Sequence, residues 1–116
     1  MIGDFVKSGD FKGEKHVPAI VTESKVKKGE FFEVEVSVGK EIKHPNTIEH
    51  HIKWIDLYIK SGEKPVVHVA RFDFAPGITD PIAKTKIKLE ESSELIAVSY
   101  CNLHGLWETS VKVEVE

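Results

Sequence analysis

One cysteine stands in 116 residues, so the chain cannot form an internal disulfide or build a four-cysteine metal centre. Its stability must come from a packed core, and a chain of this length can bury one. A lone thiol favours a reducing compartment, which makes the cytoplasm the expected location. No apolar run approaches the roughly 20 residues that span a bilayer, so no membrane partner is expected. The stretch Met1-Ile2-Gly3-Asp4-Phe5-Val6-Lys7 lacks the basic start and apolar run of a signal peptide. Charge of one sign is not in excess: 16 basic residues against 19 acidic give a net charge of -3, and no reason to expect nucleic acid. Amphipathic helical periodicity is missing, as are internal repeats, low-complexity tracts and linkers.

What is present reads as strands. Residues 1 to 15 hold Gly3, Gly9 and Gly13 and read as a loop-like segment. Val17 to Val21 is apolar, and Pro18 suggests an edge position. Lys27-Lys28-Gly29-Glu30 reads as a turn. Phe32, Val34, Val36 and Val38 then alternate with Glu33, Glu35 and Ser37, the period of a half-buried strand. A polar loop over residues 40–49 carries His44-Pro45-Asn46 and leads directly into an aromatic and β-branched strand from His50 to Ile59. Further strands are expected from Val66 to Phe74, Ile82 to Leu89, Leu95 to Tyr100 and Thr109 to Glu116. About seven strands with short turns predict an all-β, immunoglobulin-like antiparallel sandwich, with residues 1–116 as one domain.

The informative residues are six histidines and the cysteine. His16, His44, His50 and His104 fall at expected strand–loop junctions, where a sandwich gathers its loops at one end. Cys101 precedes His104 by three residues. Alone, a Cys-x-x-His spacing is weak, and a lone cysteine is usually a small buried hydrophobe. Four junction histidines converging on the same thiol would make a metal site. Structural zinc takes four ligands, one fewer than this set offers. Magnesium and calcium prefer oxygen. Imidazole suits iron, copper, nickel or zinc, and one thiolate adds a soft, electron-donating ligand. A blue copper centre needs two histidines and often an axial methionine, but the only methionine is Met1. Five nitrogen and sulfur donors leave one octahedral position open, which fits a redox-active iron. A copper electron-transfer protein and a metal-free binding module remain the competing readings.

Three runs carry a family resemblance. Glu14-Lys15-His16-Val17-Pro18, the span from His44-Pro45-Asn46 to His50-His51-Ile52-Lys53-Trp54-Ile55, and Cys101-Asn102-Leu103-His104-Gly105-Leu106-Trp107 resemble the superoxide reductases. The closest group is the short, single-iron neelaredoxin type. The two-iron desulfoferrodoxin branch differs, because one cysteine cannot supply its rubredoxin-like centre.

The resemblance implies one mononuclear non-haem iron per chain, with His16, His44, His50 and His104 as equatorial ligands and Cys101 as the axial ligand. It makes Glu14 the sixth ligand of the resting ferric state and Lys15 the cation beside the open site. The implied reaction is one-electron reduction of superoxide to hydrogen peroxide, an oxygen-detoxifying activity fed by a rubredoxin-like electron donor. A homo-oligomer, in relatives a tetramer, is also implied. His51 and His68 match no ligand position. Strand alternation would turn His51 away from His50. Trp54, Tyr100 and Trp107 read as core or site-wall aromatics.

Overall fold

A computed structural model describes residues 1–9 and 16–116. Among them the chain forms eight strands: β1 (Ala19–Val21), β2 (Lys25–Val26), β3 (Phe32–Ser37), β4 (Ile52–Lys60), β5 (Val67–Asp73), β6 (Ile82–Ile87), β7 (Ser93–Cys101) and β8 (Gly105–Val115). The only helical turn among them is a 3-10 turn over Ile2–Asp4. No helix among the described residues is long and apolar enough to cross a membrane.

The strands make a two-sheet β-sandwich of the expected immunoglobulin-like type. One sheet has the order β1-β3-β6, the other β2-β8-β7-β4-β5. Every strand pair is antiparallel except β2 with β8. β2 is the strand that periodicity misses: two residues, Lys25 and Val26, are too short to show alternation. They lie just before the predicted turn and line up with Glu114 and Val115.

Alternation sets which side chains meet between the sheets. On β3, Phe32, Val34 and Val36 are buried while Glu33 faces solvent. Glu33 and Glu35 stand opposite Lys86 and Lys84 of β6, so cross-strand charge and the apolar face favour the same register. On β7, Ser93, Leu95, Ala97, Ser99 and Cys101 are buried and the residues between them half-buried. Leu95, Leu57 and Ile55 are fully buried, each worth about 1.5–3 kcal/mol by removal from water. The same period of two that puts Leu95 in the core turns Cys101 inward at the end of β7.

Two departures from the expected boundaries matter for the site. β4 begins at Ile52, so His50 and His51 lie in the loop before it. β8 begins at Gly105, so His104 belongs to the tight turn of the β7–β8 hairpin, in which Cys101 pairs with Gly105. The N-terminal segment is docked rather than loose at Lys7, whose backbone bonds to Leu106 and Glu108 beside that hairpin. Between Ile52 and Trp54 the β4–β7 register shifts, a bulge of the kind that re-aims chain next to a site.

The outer face of the larger sheet holds a second polar cluster, which accounts for His68. Arg71 Nη1 lies 3.1 Å from Asp56 Oδ2, His68 Nε2 lies 3.3 Å from Asp56 Oδ1, and the Tyr58 hydroxyl donates to Asp56. Arg71 also lies over the Trp54 ring, which stacks on Tyr100. Burial, and next the Asp56 carboxylate beside it, push the Tyr58 phenol above its usual range, while Arg71 opposes the rise. Asp56 is thus a buried carboxylate satisfied by three partners, and His68 is one of them.

Candidate metal centre

Three segments bring the predicted histidines and the cysteine to one end of the sandwich. His16 precedes β1, His44 and His50 lie on the long connection between β3 and β4, and Cys101 and His104 belong to the β7–β8 hairpin. One donor atom from each of His16, His50, Cys101 and His104 lies within 4.8 Å of the others. His44 stands outside that mutual limit but reaches the same point, with its Nε2 3.5 Å from Cys101 Sγ. His16 Nε2 and His104 Nδ1 are 3.0 Å apart, and His104 Nδ1 is 3.7 Å from the sulfur. The rings of His16 and His44, and of His44 and His50, meet edge to face at 4.8 and 4.6 Å. All five donors of the sequence reading therefore converge. Glu14 and Lys15 lie outside the described residues.

Each segment is held by specific contacts. The buried hydroxyl of Ser99 on β7 donates to the backbone carbonyl of His16 at 3.1 Å. The His16 ring stacks on Trp107, with centroids 4.8 Å apart and planes 14° from parallel, so this tryptophan is the site wall expected of it. Its indole N–H donates to the carbonyl of His104 at 3.2 Å. One aromatic therefore orients two of the imidazole-bearing segments.

Near the start of the β3–β4 connection stands Gly39, whose φ of 78° is the left-handed conformation that favours glycine. A Cβ there would stand 2.5 Å from the backbone nitrogen of His44. His44 Nδ1 lies 2.7 Å from the carbonyl of Pro45. A carbonyl only accepts, so Nδ1 carries the proton and Nε2 turns its lone pair toward Cys101. Further on, the Thr47 N–H donates to the carbonyl of His50 at 2.8 Å, and the His50 N–H to Thr47 Oγ1 at 3.1 Å. Asn46 ties the loop to the segment after β5: its amide donates to Thr79 O, and its Oδ1 accepts from Gly77 N–H.

The strand-alternation argument for His51 does not apply, because the residue precedes β4. His51 is nonetheless buried away from the donor atoms' shared point, and its Nδ1 donates to Thr47 O at 3.0 Å. Sequence reasoning passed over Asn102, Ser99 and Gly39. Asn102 had a signal, since it lies between the thiol and His104. Ser99 and Gly39 had none beyond their residue types.

A set of buried and half-buried imidazoles with one buried thiol fits a borderline or soft transition-metal ion, and oxygen-seeking cations do not suit it. The fit shows in the geometry as well as in the residue types. Donor atoms from three separate segments face a common point, and the outer nitrogen of His44 is fixed by a carbonyl, the arrangement typical of metal-binding histidines.

The chain is similar to known proteins along nearly its whole length. The desulfoferrodoxin family pattern matches residues 8–110. The chain is 50% identical to the superoxide reductase of Pyrococcus abyssi, over 98% of this chain and 100% of that one. It is 41% identical to the neelaredoxin of Megalodesulfovibrio gigas, over 97% of each. The solved superoxide reductase (neelaredoxin) of Ignicoccus hospitalis superposes with a TM-score of 0.92 at 39% identity, covering 100% of this chain and 99% of that one.

Proposed function

The chain belongs to the desulfoferrodoxin family, and from that membership and its donor set we propose that it is a superoxide reductase. Superoxide, one electron and two protons give hydrogen peroxide. The observation that carries this reading is the convergence of the imidazoles of His16, His50 and His104 with the Cys101 thiol, with His44 against the sulfur. One mononuclear non-haem iron would be held by those four histidines and Cys101, with Glu14 as a sixth ligand in the oxidised state. When bound, iron supplies a one-electron couple at this point.

The remaining work belongs to the chain. Cys101, as a thiolate, pushes electron density into the site, as thiolate ligands do on haem iron. That push favours release of a protonated product. Neutral imidazoles add no negative charge, so the centre stays attractive to an anion. The whole chain, at net -3, mildly repels superoxide, and local positive potential has to offset this. Lys15, adjoining His16 in sequence, supplies that potential and orders a water for proton delivery.

Lys15→Ala should slow superoxide capture about tenfold and flatten its salt dependence while iron stays bound, because steering is what salt screens. An unchanged rate with an unchanged salt slope in pulse radiolysis would remove Lys15 from this role. Glu14→Ala should leave capture intact but let azide or cyanide bind the oxidised centre more tightly. Equal anion affinity in the two proteins would remove Glu14 from the ligand set.

The proposal extends to an external electron donor of the rubredoxin kind. A single cysteine leaves no rubredoxin-like relay centre in the chain, so electrons would arrive directly at the site. It also extends to one domain over residues 1–116, a homo-oligomer, taken as a tetramer, and a cytoplasmic location. Light scattering that returns a monomer would remove the tetramer. Elemental analysis tests the metal itself: about one iron per chain is expected, and stoichiometric copper would replace this reading with electron transfer.

A further inference from the structure

Asn102 makes three contacts across one gap. Its Oδ1 accepts from the His51 N–H at 2.8 Å, its Nδ2 donates to the carbonyl of Glu49 at 2.9 Å, and its own N–H donates to the carbonyl of His51 at 3.2 Å. These bonds span residues 49 to 51, with His50 between the two ends. On the other side, Asn102 is covalently joined to Cys101. The side chain thus stitches the thiol-bearing turn to the segment that carries His50, just beyond the last pair of the β4–β7 ladder, Ile52 with Cys101.

The end of the ladder explains why such a stitch is needed. Regular pairing holds Ile52 opposite Cys101, but beyond that point β4 has ended and the ladder can no longer fix the distance between the two segments. The amide side chain replaces the missing ladder: its acceptor and donor engage a backbone N–H and a backbone C=O as a paired strand would. An amide carries the two on separate atoms of one short arm, so it can engage both backbone groups at once. Aspartate would keep the acceptor but set a carboxylate against the Glu49 carbonyl.

We propose that Asn102 is a positioning residue that fixes the Cys101 sulfur relative to the His50 imidazole, so that the donor set is assembled before the metal arrives. The proposal rests on the reading of these residues as metal ligands. Outer partners of metal ligands typically contribute about 10–100-fold to metal affinity.

The test uses cobalt(II) as a spectroscopic probe of the full-length protein, with affinity measured by chelator competition. Asn102→Ala should bind cobalt about 10–100-fold more weakly than the unsubstituted protein and shift its thiolate-to-metal absorption. Asn102→Asp should fall between the two. Ser93→Ala is the control for a merely structural effect, because it breaks the 2.6 Å Ser61–Ser93 contact at the far end of β7. It should keep cobalt affinity within about twofold, whatever it does to the melting temperature of the metal-free protein. If Asn102→Ala binds cobalt as tightly as the unsubstituted protein and with the same spectrum, Asn102 does not position the donors. An affinity loss in Ser93→Ala equal to that of Asn102→Ala overturns the proposal as well, by reducing it to general stability. If the unsubstituted protein shows no thiolate-to-cobalt band, it is the ligand reading itself that falls, and the positioning role with it.

Discussion

Cys101→Ser should lower superoxide reduction to background and remove the visible sulfur-to-iron absorption, while the fold persists. The substitution exchanges one atom for a smaller one at a fully buried position. A hydroxyl does not ionise near neutral pH, so serine can neither donate as a thiolate does nor push electron density into the site. Loss of a direct ligand should exceed the roughly 10–100-fold cost of losing an outer partner. The fold should survive because the new hydroxyl has a neighbour: His44 Nε2, 3.5 Å from the sulfur, carries a lone pair able to accept from it. An unpaired buried hydroxyl would cost about 1–3 kcal/mol, and this acceptor limits the loss. Circular dichroism should match the unsubstituted protein. An unchanged visible spectrum in the iron-loaded variant would rule out sulfur ligation.

Gly39→Ala should damage the site without touching any donor atom. The backbone there is left-handed, where a non-glycine residue costs about 1–3 kcal/mol. The added methyl would also stand 2.5 Å from His44 N and 3.2 Å from both His44 Cβ and Ile42 O. Two of these are backbone atoms, so no side chain can swing away to make room. The relief available is a shift of the His44 segment, which moves one imidazole off the shared point. The expected result is a lower melting temperature together with iron binding that is weaker out of proportion to it. Asn102→Ala, by contrast, loosens the hairpin side of the same cluster. Unaltered metal affinity in Gly39→Ala would mean that the loop absorbs the methyl elsewhere.

The sandwich was legible because its strands are long and alternate cleanly. Phe32, Val34 and Val36 against Glu33 and Glu35 could only face two ways, and Lys84 and Lys86 supplied the partner charges. Lys25–Val26 was not legible, since two residues carry no period. The ends of β4 and β8 were displaced for opposite reasons. His50 and His51 look like the start of an aromatic strand, yet Thr47 holds them in a turn through backbone and side-chain bonds. Gly105, Leu106 and Trp107 look like loop, yet they pair with Cys101, Tyr100 and Ser99.

The donor residues were legible as a set because histidine and cysteine are uncommon and stood near expected loop junctions. Their mutual arrangement was not, because it depends on contacts that Asn102, Ser99 and Thr47 make with backbone groups, which no local sequence pattern announces. Sequence could name the candidate donors. Which nitrogen faces inward required the Pro45 carbonyl to be seen 2.7 Å from His44 Nδ1.

The central claim is that four imidazoles and one thiolate make this chain reduce superoxide rather than dismutate it. The most direct measurement is hydrogen peroxide formed per superoxide consumed, using iron-loaded protein kept reduced by an external donor. Reduction gives one peroxide per superoxide, and the reductant is consumed in step. A ratio of one half, with no reductant consumed, would mean dismutation and would contradict the account.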